Sequence, residues 1–181
     1  DLIAYKDLDI EQTQSIEGGY SDVYRATLKE KQCIVKNYKS NEEFISGLKG
    51  HYRSNHIITP QGERLNRYIG WSFMKGTGEG FRGKTIANKF LIILEYVGLD
   101  LTTKYENSFI EKQKVLQLQN SDIIIDVEKI FKYAQNILLE LSCLHSHGFV
   151  HRDIKLDNIC IDDEGIARLI DWDWSESTMD D

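Results

Sequence analysis

The chain has 181 residues, 41% of them hydrophobic and 28% charged, the balance of an ordinary globular chain with material for one domain or two small lobes. A formal net charge of −7 argues against a nucleic-acid backbone as its main partner. No apolar run reaches the roughly 20 residues of a membrane helix, and no signal-peptide pattern opens the sequence.

Cys33, Cys143 and Cys160 are far apart, set among apolar residues and without C-x-x-C spacing. They predict buried free thiols in a reducing, cytoplasmic compartment rather than a zinc site or a disulfide. Residues 1–15 are polar and mixed and read as a lead-in, with a first strand near Thr13 to Ile16. Ile16 to Ala26 holds Gly18 and Gly19 ahead of Val23, a pattern in which backbone N–H groups can approach a phosphate closely. Cys33-Ile34-Val35-Lys36 is an apolar strand ending in a lysine.

Ser40 and Glu43 have capping-box spacing, so a helix opens there with Phe44, Ile45 and Leu48 on its apolar face. Residues 50–66 read as irregular and Arg67 to Met74 as a strand. Gly78 to Thr85 satisfies G-x-x-x-x-G-K-T, the P-loop pattern. A P-loop must enter a helix, whereas Lys89 to Val97 is aromatic, β-branched and continuously apolar. That run predicts a buried strand, and the glycine-rich piece is read as a hairpin loop.

Phe109 to Leu118 predicts a short helix. Asp126 caps a long one, with Val127, Ile130, Phe131, Ala134, Ile137, Leu138, Leu141 and Leu144 at helical spacing and Gly148 after the last turn. Phe149-Val150 reads as a short strand. His151-Arg152-Asp153-Ile154-Lys155-Leu156-Asp157-Asn158 then forms a loop, and two apolar runs around Asp162 to Gly165 predict a strand, a tight turn and a second strand that delivers Asp171. Two carboxylates, an amide and a lysine at this spacing suit phosphoryl transfer from ATP. Asp153 would orient a hydroxyl, Asn158 and Asp171 would offer hard oxygens to magnesium, and Lys155 would meet growing charge.

His151 to Asn158 with Asp171 resembles the protein-kinase signature H-R-D-x-K-x-x-N with its downstream D-F-G, and Lys155 resembles the serine/threonine branch. The resemblance covers about residues 12–175. It implies an α+β, two-lobed fold, with an antiparallel-sheet N-lobe at 12–97 and a shortened, mostly helical C-lobe at 98–181. By the same resemblance ATP and Mg2+ are bound: Gly18, Gly19 and Val23 form a degenerate glycine-rich loop, with Ile16 and Ser21 where the first and third glycines would be. Lys36 holds phosphates, Leu94 lines the back of the pocket, and Glu95, Tyr96 and Val97 form the hinge. Asp153 and Lys155 are catalytic, and Asn158 and Asp171 bind metal. His151 is a packed structural residue, Arg152 meets a phosphate on a later segment, and Glu43 or Glu42 is the candidate partner of Lys36.

Trp172-Asp173 replaces the family's Phe-Gly. Trp can fill the apolar site, but Asp takes positive φ less cheaply than Gly. The run Ile170-Asp171-Trp172 also resembles small-molecule kinases of the same fold, so three readings stay open: a serine/threonine protein kinase acting on a protein substrate, a small-molecule kinase, and a pseudokinase-like binding module. The family's A-P-E motif and later helices have no counterpart here, which reads either as a fragment or as a minimal kinase. The analogy for the latter is bacterial effectors, which would place it in a host cytosol. Without those later helices the resemblance implies that the helix at 127–144 exposes an apolar face, with marginal stability or self-association as a consequence.

Overall fold

The computed structural model describes residues 1–17, 20–76, 89–105 and 126–178. Two compact units are formed, one by residues 1–55 and 67–96, the other by 56–66 and 97–181. Residues 56–66 therefore group with the second unit, although in sequence they lie inside the span 12–97.

The first unit is a five-stranded antiparallel sheet with one helix. Its strands are β1 (Leu8–Glu17), β2 (Ser21–Leu28), β3 (Lys31–Tyr38), β4 (Tyr68–Met74) and β5 (Lys89–Glu95), in spatial order β1-β2-β3-β5-β4. β1 begins well before Thr13, preceded by a 3-10 turn at Tyr5–Asp7. The lead-in expectation fails because Leu8 is buried and Ile10 packs beside it against Ala26, Cys33, Val35, Leu91 and Ile93. Two apolar side chains at period two are enough for a strand once a sheet face is there to receive them. The β2–β3 hairpin turns on Lys29 and Glu30, both at positive φ (50° and 66°). This is the backbone sign of a type I′ turn, here without its usual Asn-Gly.

Helix α1 (Asn41–Ser54) starts as expected, with Ser40 Oγ accepting a hydrogen bond from Glu43 N at 3.1 Å. It runs five residues into the stretch read as irregular. Phe44 is buried and Leu48 packs behind it, but Ile45 is exposed. The inward positions are instead Gly47, Gly50, His51 and Ser54. A Cβ added to Gly47 would run into the Tyr38 ring, so a small residue lets the helix lie close to the sheet. On this face Tyr38, Phe44, Tyr68 and Ile92 form a second core. β4 and β5 pair antiparallel with Met74 opposite Lys89, as the flanks of a hairpin should. The Gly78–Thr85 motif itself lies outside the described residues, as do Gly18, Gly19 and the helix expected at Phe109–Leu118.

The second unit is built on helix α2 (Val127–Ser146), capped by Asp126 Oδ1 accepting from Lys129 N at 3.0 Å. Gly148 follows at φ 73°, its N–H on His145 O. Short strands surround the helix: β6 (Leu99–Asp100), β7 (Phe149–Val150), β8 (Ile159–Ile161), β9 (Ala167–Leu169) and β10 (Glu176–Ser177). They pair as β6-β8-β9 and β10-β7. The core gathers Ile57, Leu65, Leu101, Tyr133, Ile137, Leu144, Ile161, Leu169 and Trp172.

The buried face of α2 is not the full predicted stripe. Tyr133, Ile137, Glu140, Cys143 and Leu144 are buried, whereas Val127, Ile130, Phe131 and Leu138 are exposed, together with Leu139. Ala134 is exposed as well. The helix thus carries more apolar residues than one neighbouring sheet can cover, and an uncovered apolar face results, as the resemblance implied. All three cysteines are buried and free. Burial pushes the Cys160 thiol up to about 12 and Cys33 to about 11, which leaves both inert as nucleophiles. Among the described residues no helix is long and apolar enough to cross a membrane.

Candidate active site

Asp153, Lys155, Asn158 and Asp171 all belong to the second unit, and its packing explains how they are presented. β8 and β9 form a hairpin around Asp162, whose Oδ1 accepts from Glu164 N and Ile166 N, with Gly165 at φ 75° closing the turn. β9 is fastened to α2 by two polar residues. Glu140 Oε2 accepts from Leu169 N at 2.7 Å, and Asn136 Oδ1 accepts from Ala167 N at 3.3 Å. Arg168 completes the joint with ion pairs to Glu63 at 2.5 Å, Asp162 at 3.1 Å and Glu140 at 3.5 Å. Burial works against that guanidinium's charge, but the three carboxylates outweigh it and hold the group ionised. Sequence reading missed this cluster. Its signal was a carboxylate, Glu140, three residues after Ile137 and four before Leu144, squarely on the buried face of α2.

Two residues past β9, Asp171 takes φ 64°. The Trp172 ring beyond it is buried within the core and lies 4.9 Å from the ring of His151. Trp therefore fills the apolar site expected of it. The positive φ falls on Asp171 itself, and Asp173 is not among the positive-φ residues, so the missing glycine costs nothing in this conformation.

His151 is 1% exposed and uses both ring nitrogens. Nε2 lies 2.9 Å from Ile170 O, and Nδ1 accepts from Asp153 N at 3.3 Å. That pattern requires the neutral ring with its proton on Nε2. One imidazole thus joins the loop bearing Asp153 to the residue before Asp171. The following 3-10 turn, Leu156–Asn158, brings Asn158 back toward Asp153.

Around the Asp153 carboxylate the donors converge. Oδ2 accepts from Lys155 Nζ and from Asn158 Nδ2, each at 2.8 Å, and the same Nδ2 also donates to Asp153 O at 2.8 Å. The hydrogen bond from Lys155 holds the Asp153 carboxyl below the ordinary carboxylate range. Burial pushes the other way, and Asn158 adds to the lowering. Reciprocally, Asp153 raises the Lys155 ammonium, with Asp171 and Asp157 contributing through space. Asp153 is therefore ionised and Lys155 charged at neutral pH.

The donor set suits magnesium. Asn158 spends its amide N–H groups on Asp153, so its oxygen is the end left to accept, and the Asp171 carboxylate supplies a hard anionic oxygen. Arg152, at φ 70°, is exposed and its guanidinium grips the Glu176 carboxylate.

In the first unit Lys36 is 5% exposed on β3, between Val23 on β2 and Ile92 on β5, with Nζ 5.7 Å from the centre of the Tyr38 ring. Glu42 is exposed, and Glu43 Oε2 is buried without a hydrogen-bond partner. Among the described residues neither forms an ion pair with Lys36. Leu94 packs, partly buried, against the second core of this unit. Glu95 closes β5, and its N–H is committed to Arg67 O at 2.8 Å, so that donor is not available to a ligand. Tyr96 ends the first unit under the Arg25 guanidinium, and Val97 begins the second.

The family model described as "Protein kinase domain" matches residues 13–181. Local stretches are also similar to named kinases. Serine/threonine-protein kinase greatwall of Mus musculus is 43% identical over 54 residues, 30% of this chain and 6% of that protein. The same figures hold for greatwall of Homo sapiens. Protein kinase C of Drosophila melanogaster is 50% identical over 40 residues, 22% of this chain and 5% of that protein. The matched stretches thus span only about a twentieth of these relatives. The family match, by contrast, runs from β1 through the Asp153 loop and Asp171, and with the geometry above it places the chain in the protein kinase domain family.

Proposed function

We propose that this chain transfers the γ-phosphoryl group of ATP to serine or threonine hydroxyls of a protein. The observation that carries the reading is the Asp153 carboxylate, ionised and aimed by Lys155 and Asn158 in the same unit as Asp171. Asp153 accepts a hydrogen bond from the acceptor hydroxyl and takes its proton as the new O–P bond forms and ADP departs. Its lowered pKa makes it a weak base. That fits a loose transition state, in which orientation of the hydroxyl counts for more than early proton removal. Lys155 holds Asp153 in place and puts a fixed positive charge beside the transferred group. In this reading Lys36 would hold the phosphates, Gly18, Gly19 and Val23 would belong to the phosphate-binding loop, and backbone groups of Glu95, Tyr96 and Val97 would meet the base. Magnesium, held by Asn158 and Asp171, supplies charge neutralisation on the phosphate oxygens when bound.

The test is transfer of label from γ-labelled ATP to a protein acceptor. Asp153→Asn should abolish it. Asp171→Asn should also remove the magnesium-dependent thermal shift given by nucleotide, which at about 100 times the dissociation constant corresponds to roughly 2.7 kcal/mol. Turnover that survives Asp153→Asn would refute the assignment. Label on a small alcohol but on no protein would favour the small-molecule reading, for which Ile170-Asp171-Trp172 is the motivating segment.

A further inference from the structure

Arg152 stands between His151 and Asp153 in a left-handed conformation, φ 70°. An L side chain keeps such a conformation only where its surroundings over-determine it. On one side His151 is locked by Ile170 O and Asp153 N, and on the other Asp153 is locked by Lys155 and Asn158. The third hold is the guanidinium of Arg152 itself, bound by Glu176.

Glu176 is delivered by a segment fastened along its length. Ser175 N and Oγ both donate to Trp172 O, at 3.1 and 2.8 Å. Glu176 and Ser177 pair with Val150 and Phe149 as β10 against β7. Thr178 N and Oγ1 both donate to Gly148 O, at 2.7 and 3.0 Å. The segment following Asp171 thus closes back on the strand that leads into the Asp153 loop and places a carboxylate on Arg152. Sequence reading expected that arginine to meet a phosphate, but here an in-chain carboxylate already supplies the charge and the acceptor oxygens an arginine fork needs.

We propose that Glu176 is a positioning residue for Asp153, setting the catalytic loop through Arg152 so that its geometry does not depend on an added phosphate. The inference rests on the reading of Asp153 given above. The experiment measures steady-state transfer from ATP to an arrayed serine/threonine peptide library for the full chain and for Glu176→Gln, Glu176→Asp and Asp153→Asn. A parallel sample of the parent chain is first treated with a protein phosphatase. Glu176→Gln should lose roughly tenfold or more in kcat with KM for ATP unchanged. Glu176→Asp should recover part of the loss, and the phosphatase-treated parent should keep its full rate. The double variant Arg152→Glu with Glu176→Arg, which restores the pair with its charges exchanged, should outperform either single change. Wild-type kcat in Glu176→Gln, or loss of the parent's rate after phosphatase treatment, would overturn the proposal. Asp153→Asn separates the two levels: if it is inactive while Glu176→Gln is unaffected, only the present inference fails, and if it is active, the underlying reading fails.

Discussion

Replacing His151 by Phe tests whether one imidazole holds the Asp153 loop and the Asp171 segment in register. Phe keeps an aromatic ring beside Trp172, 4.9 Å away in the parent chain, so little cavity is opened. What it removes is the pair of contacts to Ile170 O (2.9 Å) and Asp153 N (3.3 Å) in a site only 1% exposed. Losing two neutral hydrogen bonds costs about 1–3 kcal/mol, and a buried carbonyl left without a donor raises this to about 2–4 kcal/mol. His151→Ala would add a cavity term and reach about 3–5 kcal/mol. These are large fractions of the roughly 5–15 kcal/mol by which a domain is stable. Urea unfolding at constant slope reads the stability. Transfer assays well below the midpoint read catalysis, where a displacement of about 1 Å costs on the order of a hundredfold in kcat. If His151→Phe kept its stability within about 0.5 kcal/mol and its kcat within twofold, the imidazole would not be the link described here.

Gly98→Ala and Gly165→Ala separate backbone strain from collision. Both glycines have positive φ, 124° and 75°, but a Cβ at Gly98 would overlap Ile161 O whereas at Gly165 it meets nothing within 4 Å. Gly165→Ala should cost about 1–2 kcal/mol and Gly98→Ala about 3–5 kcal/mol, because β6 must also move off β8. Equal costs in urea unfolding would contradict the packing. Lys155→Met should move the acid limb of the kcat/KM profile to higher pH. Asp153 is held below the ordinary carboxylate value chiefly by Lys155, so in the parent chain its ionised form persists down through that range and is lost only as pH falls through the lowered value. Without the ammonium the pKa climbs and the limb follows; a stationary limb would show that Lys155 does not set this titration.

Much of the site was legible because its chemistry is local. Asp153, Lys155 and Asn158 lie within six residues, so a loop and one 3-10 turn suffice to bring them together. The strands β3, β4 and β5 were likewise written in apolar runs, and α1 in the Ser40 cap. Less legible were elements whose character depends on what covers them. Leu8 and Ile10 become a strand only because a sheet face accepts them. Val127, Ile130, Phe131 and Leu138 share helical spacing with Ile137 and Leu144, yet periodicity cannot say which of two apolar faces a neighbour will occupy.

By itself, then, the sequence determined the identity and spacing of the candidate catalytic groups, and through them the family. Tertiary structure alone decided their state. The left-handed turn at Arg152 is a conformation no local preference of Arg selects; it persists because contacts made by the fold outweigh the local cost. The carboxylate on Arg152 comes from a residue 24 positions away, and the anchors of β9 come from Glu140 and Asn136 on α2, 29 and 31 positions from their partners. Hydrogen bonds and ion pairs at such separation form only after the chain has closed those loops, which is why they leave so little trace in the order of the residues.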